Sequence, residues 1–88
     1  MKIERIDPPS WFAGMEDTTL QLMLTGEDLD NAEITVRYPG IEVIGTERAD
    51  SHRYAFLYLG LAACGAGTMY IDLRKDGETL TVPYELRD

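Results

Sequence analysis

The sequence predicts an all-β fold, a two-layer antiparallel sandwich, and three observations predict it. Apolar residues recur at every second position along most of the chain, the spacing of strands that bury one face. Turn dipeptides interrupt those runs at short intervals. Nothing repeats at helical spacing, and the two segments long enough to hide a helix, 18–25 and 57–64, alternate instead.

The elements follow in order. A first strand, 2–7, stops at Asp7-Pro8-Pro9-Ser10, because proline brings no amide hydrogen to a ladder. In 19–25, Leu20, Leu22 and Leu24 alternate with Gln21, Met23 and Thr25. In 33–38, Ile34, Val36 and Tyr38 alternate with Thr35 and Arg37, and Pro39-Gly40 turns the chain into 41–48. The run 53–60 sets Tyr54, Phe56 and Tyr58 on one face and Ala55, Leu57 and Leu59 on the other. Apolar on both faces, it is expected at the centre of a sheet, or with its outer face against another surface. The small residues Ala62 to Gly67 lead into 67–75, where Met69, Ile71 and Leu73 oppose Tyr70, Asp72 and Arg74. Asp76-Gly77 is a hairpin signal between alternating runs. The last strand, 78–87, carries Leu80, Val82, Tyr84 and Leu86 on one face, and Pro83 assigns it to an edge. About seven short strands with frequent turns describe an immunoglobulin-like sandwich, here without a disulfide, since Cys64 is the only cysteine.

Composition narrows the function. The 88 residues make one small domain, 1–88, with a modest core and little room for a deep pocket of several hundred Å³. A net charge of −8, from 16 acidic and 8 basic residues, argues against binding duplex nucleic acid or an anionic membrane surface. No run reaches the ~18–20 apolar residues of a membrane-spanning helix. Met1, Lys2 and Ile3 lead into a charged alternating segment rather than the apolar core of a signal peptide.

The chemistry-bearing residues are sparse. His52 adjoins Ser51 in Asp50-Ser51-His52-Arg53, but neighbours in an extended chain point apart and make no nucleophile–base pair. His52 reads as a solvated loop residue, and Cys64 as a small buried or turn residue. Gly26-Glu27-Asp28-Leu29-Asp30-Asn31 collects carboxylates that suit a solvated turn or a weak cation site, without the spacing of an EF-hand. Gly65-x-Gly67 lacks the third glycine and the helix of a dinucleotide site and reads as a turn. No cofactor is expected.

Pro8-Pro9-Ser10-Trp11-Phe12-Ala13-Gly14-Met15 breaks the alternation and places the only tryptophan in a loop. Its rings serve either as a plug on the sandwich end, as a docking patch for another protein surface, or as a platform for a sugar ring. Trp11, Phe12, Met15, Tyr38 and Tyr54 are the candidate contacts for docking or glycan, with Tyr58, Tyr70 and Tyr84 as further rings.

The string Ile3-Glu4-Arg5-Ile6-Asp7-Pro8-Pro9-Ser10-Trp11-Phe12-Ala13-Gly14-Met15 resembles the opening of the amino-terminal domain of bacterial cyclomaltodextrinase/neopullulanase-type enzymes, in the α-amylase superfamily. The resemblance continues through Leu20-Gln21-Leu22-Met23, Gly26, Val36-Arg37-Tyr38-Pro39-Gly40, Tyr54-Ala55-Phe56-Leu57-Tyr58-Leu59 and Gly67-Thr68 to Tyr84-Glu85-Leu86-Arg87. It departs at Phe12, where the family pattern tends to a second tryptophan; a ring is kept and an indole donor lost. The resemblance implies an immunoglobulin-like domain of a longer hydrolase, ahead of a (β/α)₈ barrel acting on α-1,4 or α-1,6 linkages in cyclodextrins, pullulan or maltooligosaccharides. The catalytic carboxylates belong to that barrel, and none maps onto this chain. The implied partners are the barrel of the same parent chain and, through the parent, a second subunit in a homodimer, with α-glucan as a possible ligand. The resemblance favours a periplasmic home over a cytoplasmic one without deciding between them.

Overall fold

The structure is a computed structural model and describes residues 1–48 and 52–88. Two four-stranded sheets pack face to face. Their strands are β1 (Lys2–Asp7), β2 (Trp11–Phe12), β3 (Thr19–Glu27), β4 (Glu33–Arg37), β5 (Glu42–Arg48), β6 (Tyr54–Gly60), β7 (Gly67–Lys75) and β8 (Glu78–Arg87). One sheet runs β1-β3-β6-β5, the other β2-β8-β7-β4. All pairings are antiparallel except the short β2–β8 contact. The architecture is an immunoglobulin-like β-sandwich with a free Cys64 and no disulfide.

The alternation seen in the sequence becomes the core. Leu20, Leu22 and Leu24 of β3 and Ala55, Leu57 and Leu59 of β6 face Met69, Ile71 and Leu73 of β7 and Tyr84 and Leu86 of β8. Leu29 closes one end: it is buried, and its amide donates to the His52 carbonyl at 2.7 Å. The Asp76-Gly77 hairpin has positive φ at both residues, the conformation that a two-residue turn needs to match strand twist.

Two expectations need correction. Residues 11–12, expected in a loop, form an eighth strand, β2, paired in parallel with Leu86 and Arg87. In consequence β8 is not an edge strand, as Pro83 had suggested, but lies between β2 and β7. Pro83 is tolerated because β2 pairs only with residues 86–87. At Pro83 the flank of β8 away from β7 carries no partner strand, so a missing donor costs the ladder little.

Candidate functional site

The segment after β1 splits its rings between the core and the surface. Tyr84, buried in β8, donates its hydroxyl to the Pro8 carbonyl at 2.9 Å and so braces the start of the segment. Burial pushes the Tyr84 phenol up to about 12. Trp11 then packs against the core, and its indole nitrogen is sealed from solvent with no acceptor beside it. The next ring, Phe12, turns outward and is 45% exposed, tilted against Trp11 at a centroid separation of 6.5 Å. The Ala13 amide donates to the Arg87 carbonyl at 2.7 Å, and Gly14 follows with φ +75°. That left-handed residue swings Met15 out, 43% exposed.

Phe12 and Met15 overhang a shallow cleft of about 100 Å³, lined also by Gly14, Asp17, Thr18, Leu61, Ala62 and Cys64. Its far wall is the turn after β6, closed by a bond from the Cys64 amide to the Leu61 carbonyl at 3.0 Å. Cys64 is half-buried, and burial raises its thiol above the usual range, away from the thiolate that nucleophilic chemistry requires.

The other candidate rings lie elsewhere. Tyr38 sits behind the same turn: its hydroxyl donates to the Gly65 carbonyl at 2.6 Å and its ring crowds Gly67, pinning the connection into β7. Tyr54 is on the outer face of β6, opposite Thr25 of β3, at the end of β6 remote from the cleft. Gly60 lies six positions further along β6, about 20 Å of strand. Thus Phe12 and Met15 share the cleft, Trp11 and Tyr38 support it from behind, and Tyr54 does not line it.

The polar clusters are internally satisfied. Lys75 donates to Asp28 at 2.6 Å and Asp30 at 3.0 Å, and the N-terminal ammonium stands 3.6 Å from Asp28. The lysine bond holds both carboxylates below their ordinary range. The charge beside the acidic turn is therefore the chain's own ammonium. Among the described residues no group of three potential ligands gathers to hold a metal. Asp50 and Ser51, read with His52 as a charged turn, lie outside the described residues; His52 itself is exposed.

Sequence reading missed one arrangement. Asp72 reads as an outward polar residue, yet it is buried on the outer face of its sheet. It accepts from Arg37 Nε at 2.6 Å and Nη2 at 3.2 Å, and from the Thr81 hydroxyl at 2.7 Å, while the Arg37 guanidinium lies 5.3 Å over the Tyr70 ring. Arg37 holds the carboxyl below its ordinary range. The signal was present only as the register Arg37–Tyr70, Thr35–Asp72–Thr81, which emerges once β4, β7 and β8 are paired. A carboxylate so neutralised is a poor acid or base, and it completes the sheet surface. Residues 5–88 match the family described as cyclomaltodextrinase, N-terminal.

Proposed function

The chain belongs to the family of cyclomaltodextrinase N-terminal domains, and from that premise we propose that it is a non-catalytic accessory domain of an α-glucan hydrolase, packing through its segment 8–15 on the catalytic barrel or a partner subunit and helping to shape access of substrate. The observation that carries this reading is the outward pair Phe12 and Met15 over the cleft at the sandwich end. Two large apolar side chains carried on a segment braced at Pro8 and Ala13 suit an anchor: the backbone is already ordered before docking, and the apolar area leaves water.

The test is the double substitution Phe12→Ser with Met15→Ser in the full-length enzyme. Hydrolysis of polymeric glucan is expected to fall more than hydrolysis of a small chromogenic substrate. Equal loss on both, with folding intact, would count against a docking role. A glycan platform is the competing reading, and here the exposed rings do not converge: Tyr54 and Tyr70 lie on opposite outer faces, and Phe12 stands at the sandwich end. Chemical shifts of the domain in millimolar maltoheptaose or β-cyclodextrin decide it: movement of Phe12 and its neighbours would favour sugar over docking.

A further inference from the structure

The two outer faces of the sandwich are finished differently. On the β2-β8-β7-β4 sheet, the outer positions are Thr68, Tyr70, Asp72 and Arg74 of β7 with Thr79, Thr81, Pro83 and Glu85 of β8. That face is polar and tied together by the Arg37–Asp72–Thr81 bonds. On the other sheet, register places Met23 beside Phe56, Thr25 beside Tyr54 and Gln21 beside Tyr58, all directed away from the core. Ile44, at the register shift of β5, is 57% exposed and reaches over Gly60 on this same face. Through all seven residues of β6 there is no charged side chain. An antiparallel sheet facing water on one side normally alternates apolar with polar residues; this central strand does not.

The edge of that face is acidic. Glu42 is paired with Gly60, and Glu47 with Phe56, where Glu47 accepts from the Tyr58 hydroxyl at 2.9 Å. On the opposite border Asp7 is already paired with Arg5 at 2.8 Å. The face also meets the cleft: Thr18 and Leu61 line the cleft, and the adjoining Thr19 and Gly60 are a cross-strand pair.

We propose that the outer face of the β1-β3-β6-β5 sheet, centred on Met23, Tyr54, Phe56 and Ile44, is a docking surface continuous with the Phe12–Met15 cleft, and that its occupant is the catalytic domain of the same chain, presenting an apolar patch bordered by lysine or arginine. The inference rests on the accessory-domain reading and adds the surface and its charge. A second copy of this domain is a poorer occupant, because two domains each at −8 repel one another.

The structure supplies an internal control. Tyr54 and Tyr70 are the same residue type, 39% and 42% exposed, on opposite outer faces. Hydroxyl-radical footprinting of the full-length enzyme is expected to oxidise Tyr54 at least several-fold more slowly than Tyr70, with Met23 similarly shielded. Replacing Glu42→Lys and Glu47→Lys together should bring the two tyrosine rates together. Equal rates in the wild-type enzyme overturn the proposal. If Met15 is then shielded, the accessory-domain reading stands without this face; if Met15 is open as well, docking itself fails. Shielding of Tyr54 that disappears on dilution assigns the face to a second copy, and shielding that requires added β-cyclodextrin assigns it to glucan; either outcome also overturns the proposal.

Discussion

Replacing Tyr84 by phenylalanine should reverse the order of stability between mutant and wild type as pH rises. At neutral pH the mutant lacks the bond from the Tyr84 hydroxyl to the Pro8 carbonyl. One such bond contributes about 1 kcal/mol net. Pro8 is only half-buried, so water can reach the released carbonyl and the loss stays near that figure. The alkaline limb works the other way. Burial raises the folded phenol from 10.0 to about 12. A raised pKa contributes stability that is complete below the unfolded value and lost as pH climbs through the folded one. Two pH units correspond to about 2.7 kcal/mol, of which about 2 kcal/mol is lost by pH 11.5. The mutant carries no such phenol. It is therefore expected to be about 1 kcal/mol less stable than wild type at pH 8 and about 1 kcal/mol more stable at pH 11.5. Urea unfolding of both proteins across that range measures the crossing. Only the difference between them is interpreted, because Tyr58 beside Glu47 and Lys75 beside Asp28 also have raised pKa values and weaken both proteins alike in alkali. A difference that stays constant with pH would refute the assignment of the buried titration to Tyr84.

Two further predictions address the frame around the proposed surfaces. Arg37→Ala should lower the urea midpoint at pH 7 and flatten the pH dependence below about pH 4. Arg37 depresses the Asp72 pKa, and that contribution is present above the ordinary carboxylate value and lost on acidification; an unchanged acid limb in the mutant would refute the pairing. Gly40→Ala should cost distinctly more than Gly77→Ala, although both glycines have φ +81°. Each pays about 1 kcal/mol of left-handed strain, but at Gly40 the new methyl also collides with the Ala63 carbonyl, whereas at Gly77 it meets open space. Thermal midpoints compare the two directly.

What the sequence made legible was decided by neighbours in the chain. Leu20, Leu22 and Leu24 alternate because β3 has one dry face, and Asp76-Gly77 turns because both residues tolerate positive φ. What it concealed was decided by partners far along the chain. β2 is two residues long, too short for any period, and exists because Leu86 and Arg87 lie alongside it. Asp28 and Asp30 resemble a cation site until Lys75 is brought to them across 47 and 45 residues. Tyr38 resembles an available ring until its hydroxyl is found on Gly65. The candidate site shows the same division. Proline, glycine and rings marked the segment 8–15 as unusual, but no local rule could say that Trp11 would turn in and Phe12 out, because their directions follow from the pairing with β8.

The irregularity in β5 connects the fold to the proposed docking face. β5 is an edge strand, and a regular edge with free amides and carbonyls invites pairing with any other extended chain. Here the register slips between Val43 and Gly45, so that Ile44 is extra to the ladder with β6. A bulge of this kind bends the strand and makes the edge a poor template for continuing the sheet. It also sets Ile44 over Gly60, where any side chain at position 60 would meet Glu42 and Ile44. One inserted residue thus discourages docking through the edge and adds an apolar side chain to the face. Deleting Ile44 should restore a regular edge and remove that side chain. The deleted enzyme is expected to self-associate more in sedimentation velocity while losing protection at Tyr54. A deletion mutant that kept both the wild-type sedimentation and the Tyr54 footprint would show the bulge to be unconnected with either.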